Sequence, residues 1–316
     1  MKRLVLFIIP ALIVSATGCQ QREASGKPKV AFIPKGMSHQ FWLTVKAGAM
    51  AAGEDLDVEV LWNGPNKETQ IERQVGIFEN MLNLNVDAIV LAACDESALN
   101  RPVEQAVAAG IPVVTVDSGV TSDAPLSFVA TDNEAGAEAA AHKLAELIGE
   151  AGPVGLVPFV SGAATSEMRE RGFEQGIAAY EDIEIADVQY SQSDESQGMA
   201  VTQDMLSANP DMKGIFGANE SSCIGAAQAI KSIGQAGEVK LVCFDAAQEQ
   251  IAALREGLVQ ALVVQNPYKM GYESVKAAVL AMRGDEVPPR IDTGVLVVTL
   301  ENIDDPEVQE ILNPEI

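Results

Sequence analysis

Short apolar runs recur along most of this chain: Val30–Pro34, Val58–Trp62, Ala88–Ala92, Pro112–Val116, Val154–Phe159, Gly214–Gly217, Val239–Phe244 and Ala261–Val264. Each is about five residues long and apolar at successive positions, the pattern of strands buried on both faces of a parallel sheet. Parallel neighbours need a helical crossover, and helical spacing does occur between the runs. Phe41, Val45, Gly48, Ala49 and Ala52 share one helix face, and Ile71, Val75, Phe78 and Leu82 share another. The reading is an α/β chain of βαβ units with right-handed crossovers.

With 316 residues the chain has room for two such domains, and it echoes itself. Ala88-Ile89-Val90 leads to Asp95-Glu96-Ser97, and Gly214-Ile215-Phe216 leads to Glu220-Ser221-Ser222. Asp117 lies 28 residues after Ile89, and Asp245 lies 30 after Ile215, each at the end of an apolar run. Two similar α/β halves in tandem produce such an echo, each Asp closing the fourth strand of its half.

The N-terminus is of another kind. Lys2 and Arg3 precede the apolar run Leu4–Val14, and Ser15, Ala16, Thr17 and Gly18 lead to Cys19. This is the layout of a secretory signal over residues 1–18, and the run is short of the roughly 20 residues a membrane-spanning helix needs. The Gly18-Cys19 exit resembles a bacterial lipobox, with Ala16 where Leu is usual, so Cys19 is the expected lipidation site. Residues 19–27 suit a polar tether. The whole chain carries 21 Lys+Arg against 45 Asp+Glu, a net charge of −24. That balance argues against nucleic acid, and it means acyl chains, not attraction to anionic lipid, would hold the protein at a membrane. The remaining Cys94, Cys223 and Cys243 sit in or beside apolar runs and read as buried thiols, without any pairing that spacing can assign.

Ligands of open parallel sheets bind beyond the carboxyl ends of the strands. Past the first run come Ser38, His39, Gln40, Phe41 and Trp42; past the fourth, Asp117 and Ser118. The run ending at Phe159 is followed by a Gly-Ala-Ala-Thr-Ser loop, then Arg169 and Arg171; later runs lead to Asn219, Asp245 and Gln265. Carboxylates, amides and an Arg suit vicinal hydroxyls, and adjacent rings suit the apolar face of a sugar. The bland alternatives are that Asp117 and Asp245 are turn formers and that His39 is a plain loop residue. Of the two Arg, Arg169 is the pocket candidate and Arg171 a surface ion-pair partner. Phe41 and Trp42 point about 100° apart on a helix, so one can be core while the other faces the cleft. Trp62 reads as packing and His142 as a surface or packing residue on an Ala-rich helix.

At these motifs the chain resembles the periplasmic sugar-binding proteins of ABC importers, the ribose-binding type. The resemblance runs from Lys29 to about Val298 and is carried by Ser38–Trp42, Gly110–Asp117, Thr131-Asp132-Asn133, Arg169–Phe173, Asn209-Pro210-Asp211, Ile215–Glu220 and Cys243-Phe244-Asp245. It implies a periplasmic-binding-protein-like fold of type I: two Rossmann-like domains joined by three hinge strands. The lobes would comprise residues 28–131 plus 265–292, and 132–264 plus 293–316. It implies sugar contacts at His39, Phe41, Trp42, Asp117, Arg169, Asn219, Asp245 and Gln265. It also implies no cofactor or metal, a permease partner in the inner membrane, and a monomer in the periplasm or cell envelope. The family's ribose binders have Asn at the position of His39, Arg at Ser118 and a pocket aromatic at Ser193. Those departures keep the sugar logic and leave space at Ser118 and Ser193 that a larger or differently oriented ligand would fill.

Enzyme motifs are missing from the sequence: it has no GxGxxG after a strand, no P-loop, no GxSxG elbow and no HExxH. The two rivals to an importer's receptor are a receptor that signals to a membrane kinase or chemoreceptor, and an exported α/β hydrolase.

Overall fold

The structure, a computed structural model, describes residues 26–314. The secretory run, the Cys19 lipidation site and the start of the tether lie outside the described residues.

The first half lays down β1 (Lys29–Ile33), α1 (Gln40–Asp55), β2 (Glu59–Trp62), α2 (Ile71–Asn83), β3 (Ala88–Leu91), α3 (Asn100–Ala108), β4 (Val113–Val116) and β5 (Ser127–Ala130). The second half repeats the plan with α4 (Asn133–Ile148), β6 (Gly152–Val157), α5 (Ala164–Ile177), β7 (Ile183–Val188), α6 (Glu195–Ala208), β8 (Gly214–Gly217), α7 (Glu220–Ser232), β9 (Lys240–Phe244), α8 (Gln248–Arg255) and β10 (Ala261–Gln265). The chain then runs through α9 (Pro267–Arg283), β11 (Arg290–Asp292), β12 (Val295–Val298) and α10 (Pro306–Leu312). Two six-stranded sheets result, ordered β2-β1-β3-β4-β5-β11 and β7-β6-β8-β9-β10-β12. The orders are equivalent strand for strand, so the echo in the sequence is an echo in topology. One difference is at the last edge: β11 runs parallel to β5, whereas β12 runs antiparallel to β10.

The eight apolar runs correspond to β2 and to every inner strand except β5. The sequence reading passed over β5, β7, β11 and β12. Edge strand β7 buries only alternate residues, and β11 is largely exposed, so neither writes a continuous apolar run. The run Val154–Phe159 stops short as a strand at Val157, and Phe159 is released into a loop. In α2 the buried face is Gln74, Ile77, Phe78 and Met81, a turn away from the Ile71–Leu82 face expected from spacing, because Gln74 is drawn inward to bond Pro34 O, Ala92 O and Cys94 N.

Each sheet is covered by apolar clusters on both faces. On the first sheet α1 packs tightly against α9 through Gly48 and Gly271, where a Cβ on either glycine would collide with a backbone carbonyl of the opposite helix. The chain passes between the sheets three times: from β5 into α4, from β10 into α9, and from β11 into β12. Two passages touch, through Thr131 Oγ1 donating to Gly294 O at 3.2 Å.

Cys223 and Cys243 form a disulfide joining the first turn of α7 to β9, and Cys94 is a buried free thiol. This corrects the reading of three buried thiols. The two sulfurs meet only because α7 crosses over the strand beside its own, twenty residues on in the chain.

Candidate functional site

The carboxyl ends of both sheets face one narrow cavity between the lobes. It is lined by His39, Phe41, Trp42, Asp117, Arg169, Asn219, Asp245 and Gln265, all eight residues singled out in the sequence. Lys35, Glu68, Phe159, Thr165 and Glu220 complete its wall.

Both acidic residues leave the fourth strand of their half with a left-handed backbone, φ 57° at Asp117 and φ 76° at Asp245. Asp tolerates that region better than most residues, and the turn lifts each carboxylate off its sheet into the cavity. Their surroundings differ. Asp117 is buried against the ammonium of Lys35, Oδ2 to Nζ 2.9 Å, and that ammonium also donates to Thr165 Oγ1 of the other lobe at 2.9 Å. Asp245 has neutral partners: Gln265 Nε2 donates to Oδ1 at 2.6 Å and the Glu220 backbone N–H to Oδ2 at 2.9 Å. Burial raises the Asp245 pKa, against the pull of Arg169.

The first loop brings its rings together at a 5.0 Å centroid separation, nearly perpendicular. Trp42 is fully buried in the core of the first lobe while one edge borders the cavity; Phe41 is half-buried. Trp42 Nε1 donates to Glu68 Oε1 at 2.8 Å, and the His39 ring nitrogen lies 3.8 Å from the same oxygen. Burial disfavours the charged His39, but Glu68, with Glu220 and Asp245, overcomes this and lifts its pKa to about 9. Burial likewise works against Glu68 as a carboxylate, yet Lys35 and His39 outweigh it and hold the group well below the usual carboxylate range.

In the second lobe the Arg169 guanidinium lies flat on the Phe244 ring, 3.7 Å from its centroid, with Phe159 on another side at 5.5 Å. Nε donates to Asn133 Oδ1 at 2.8 Å and one terminal nitrogen to Ala218 O at 2.7 Å. The second terminal nitrogen has no protein partner among the described residues. Arg171, two residues on, faces outward and pairs with Glu134 at the surface. Asn219 caps α7 by accepting from the Ser222 N–H at 2.9 Å, and its amide nitrogen donates to Ser193 Oγ at 2.8 Å. Gln265 lines the cavity, and its Oε1 is a buried acceptor without a partner among the described residues.

Ser193 lines the open mouth of the cleft. Its hydroxyl donates to Glu68 Oε2 of the other lobe at 2.8 Å. Ser118 is buried outside the cavity lining, its hydroxyl unpartnered. Trp62 stacks on Phe32 at 4.6 Å in the core, and His142 sits at the surface beside Tyr180. Glu68 carried no signal in the sequence: it lies in a polar loop, and contacts distant in the chain, to Trp42 and His39 of its own lobe and Ser193 of the other, bury it. Lys35 and Phe159 follow strand ends and were within reach of the same strand-end rule. No cluster that could hold a metal ion occurs among the described residues.

A family model described as a periplasmic binding protein domain matches residues 30–286. The chain is 31% identical over 292 residues to the D-ribose/D-allose-binding protein of Pseudomonas aeruginosa, an alignment covering 90% of this chain and 91% of that one. Among solved structures it is similar to an ABC transporter solute-binding protein of Agrobacterium vitis with bound D-fucose: TM-score 0.88, 39% identity, covering 90% of this chain and 99% of the other. A carbohydrate transporter solute-binding protein of Agrobacterium radiobacter in complex with D-arabinose matches with TM-score 0.89 and 32% identity, over 92% of this chain and 100% of that one.

Proposed function

The chain belongs to the periplasmic binding protein family, in its ribose-binding-protein type, and on that premise we propose that it captures a neutral sugar for an ABC importer. The observation that carries this is the charge balance of the cavity wall. The cations Lys35, Arg169 and the protonated His39 face the carboxylates of Glu68, Asp117, Glu220 and Asp245. A wall already neutralised within one charge has no use for a charged ligand. It offers paired carboxylates, a partly free guanidinium and the Gln265 oxygen to hydroxyl groups, and aromatic edges to C–H faces. His39, Phe41, Trp42, Asp117, Arg169, Asn219, Asp245 and Gln265 are the proposed contacts, joined by Lys35 and Phe159.

The three passages between the sheets act as the hinge, dividing residues 28–131 plus 265–292 from 132–264 plus 293–316. Cleavage before Cys19 and lipidation there would leave a monomeric receptor tethered to the membrane by residues 19–27, within reach of its permease. A thermal-shift screen of residues 27–316 tests the central reading, using D-ribose, D-allose, D-arabinose, D-fucose and matched sugar phosphates. A ligand at about 100 times its dissociation constant stabilises by roughly 2.7 kcal/mol. At least one neutral sugar is expected to raise the melting temperature. A response confined to the phosphates would sink the proposal.

A further inference from the structure

Two helices that begin at the cleft receive their caps from the opposite lobe. The N-cap of α1 is His39, whose side chain caps nothing, and the N-cap of α8 is Ala247, whose methyl group cannot. The first amides of a helix need acceptors from outside it. For α1 they come from the second lobe: the Gln40 N–H donates to Glu220 Oε1 and the Phe41 N–H to Glu220 Oε2, each at 3.0 Å. For α8 the cap comes from the first lobe, where Gln40 Oε1 accepts from the Gln248 N–H at 2.8 Å. Gln40 thus gives an amide in one direction and an acceptor in the other.

We propose that this reciprocal exchange of helix caps is a latch that holds the lobes closed, with Glu220 and Gln40 as its positioning residues. Opening the cleft separates Glu220 from α1 and Gln40 from α8, leaving both helix starts without these caps. A carboxylate across two helix N-terminal amides also sits at the favourable end of the helix dipole. The latch is geared to the pocket, because the Glu220 backbone N–H is bonded to Asp245 Oδ2. Cys223 in the same turn of α7 is tied to Cys243, two residues before Asp245. Glu220 is therefore stationed by the residue that would hold the sugar, and His39 Nε2 adds a 3.1 Å contact to Ser221 Oγ alongside. The latch acts on closure itself, whichever sugar is bound, so it stands or falls separately from the choice of ligand.

Gln248→Pro is the sharpest test. Proline removes the one amide that Gln40 caps, is well suited to the first position of a helix, and requires an extended residue before it, which Ala247 already is. Gln248 is exposed, so no packing is lost. Spin labels on Asn66→Cys and Ser196→Cys, exposed on opposite lobes at the mouth of the cleft, report the lobe separation. Pulsed electron resonance on the full mature chain should show longer distances for Gln248→Pro and for Glu220→Ala than for the parent, without sugar or with a sugar from the panel above. For a sugar that binds, release should be severalfold faster in Gln248→Pro and about five- to thirtyfold faster in Glu220→Ala. Distance distributions that coincide with the parent's in both variants, with and without sugar, overturn the latch. A shift in Glu220→Ala alone overturns the reciprocity and leaves a one-way cap.

Discussion

The two lobes share a sheet order and place an Asp with a left-handed backbone at the same strand end, yet they hold that Asp by different chemistry. In the first lobe Asp117 is neutralised by Lys35, and a second, partly buried pair, His39 and Glu68, lies beside it. In the second lobe Asp245 is held by an amide side chain and a backbone N–H, and the scaffold behind it is stapled by a disulfide. The comparison teaches that topology sets where a ligand-facing residue can stand, whereas its neighbours set what it can do there. One lobe holds its Asp in a direct buried ion pair; the other holds its Asp by neutral donors on a covalently braced wall, with the Arg169 guanidinium acting on it only through space.

The largest expected difference is in Asp→Ala variants. Asp117→Ala strands the Lys35 ammonium, which is 3% exposed, and removing one partner of a buried ion pair costs about 3–5 kcal/mol. Asp245→Ala strands two neutral donors, at about 1–3 kcal/mol, and takes away a carboxylate that acts on the buried Arg169 through space without a direct ion pair. Urea unfolding of the two should rank them in that order, and equal losses would erase the contrast between the lobes. Next comes the disulfide. Replacing Cys223 and Cys243 together by Ser opens a loop of 20 residues and should cost about 3 kcal/mol. Hydrogen exchange should rise first in β9 and α7; uniform loosening of both lobes would mean that the brace is not local.

The smallest effect is a pH dependence confined to the first lobe. His39 has its pKa raised from 6.5 to about 9, so the stability it contributes is complete below about 6.5 and is lost as pH rises through 9. Its side chain is 20% exposed, which trims the effect to about 2 kcal/mol or less. Unfolding free energies from pH 7 to 10 should fall in the wild type and flatten in His39→Ala. An unchanged slope in the variant would detach His39 from Glu68.

Much of the fold was legible because strands buried on both faces must be apolar at successive positions, and all inner strands but β5, which opens on Ser127, announced themselves that way. Edge strands β7 and β11 did not, since one face of each meets water. The pocket was legible by the same logic at one remove: residues just past buried strands, His39 through Gln265, could be named before their contacts were known. Gln74, Glu68 and Glu220 were not, because a polar residue in a helix or loop looks alike whether it faces solvent, its own lobe's interior or a second lobe.

The sequence by itself determined that this chain makes two α/β halves and that Asp117 and Asp245 stand at corresponding strand ends, because burial periodicity is a local property of consecutive residues. Only the tertiary structure decided that Lys35 neutralises Asp117, that Glu68 accepts from Ser193, that Cys223 meets Cys243, and that α1 and α8 are capped across the cleft. Those are pairings between residues 20 to 208 positions apart. The free energy of such a contact exists only once packing has excluded water from both partners, and no local pattern encodes that exclusion.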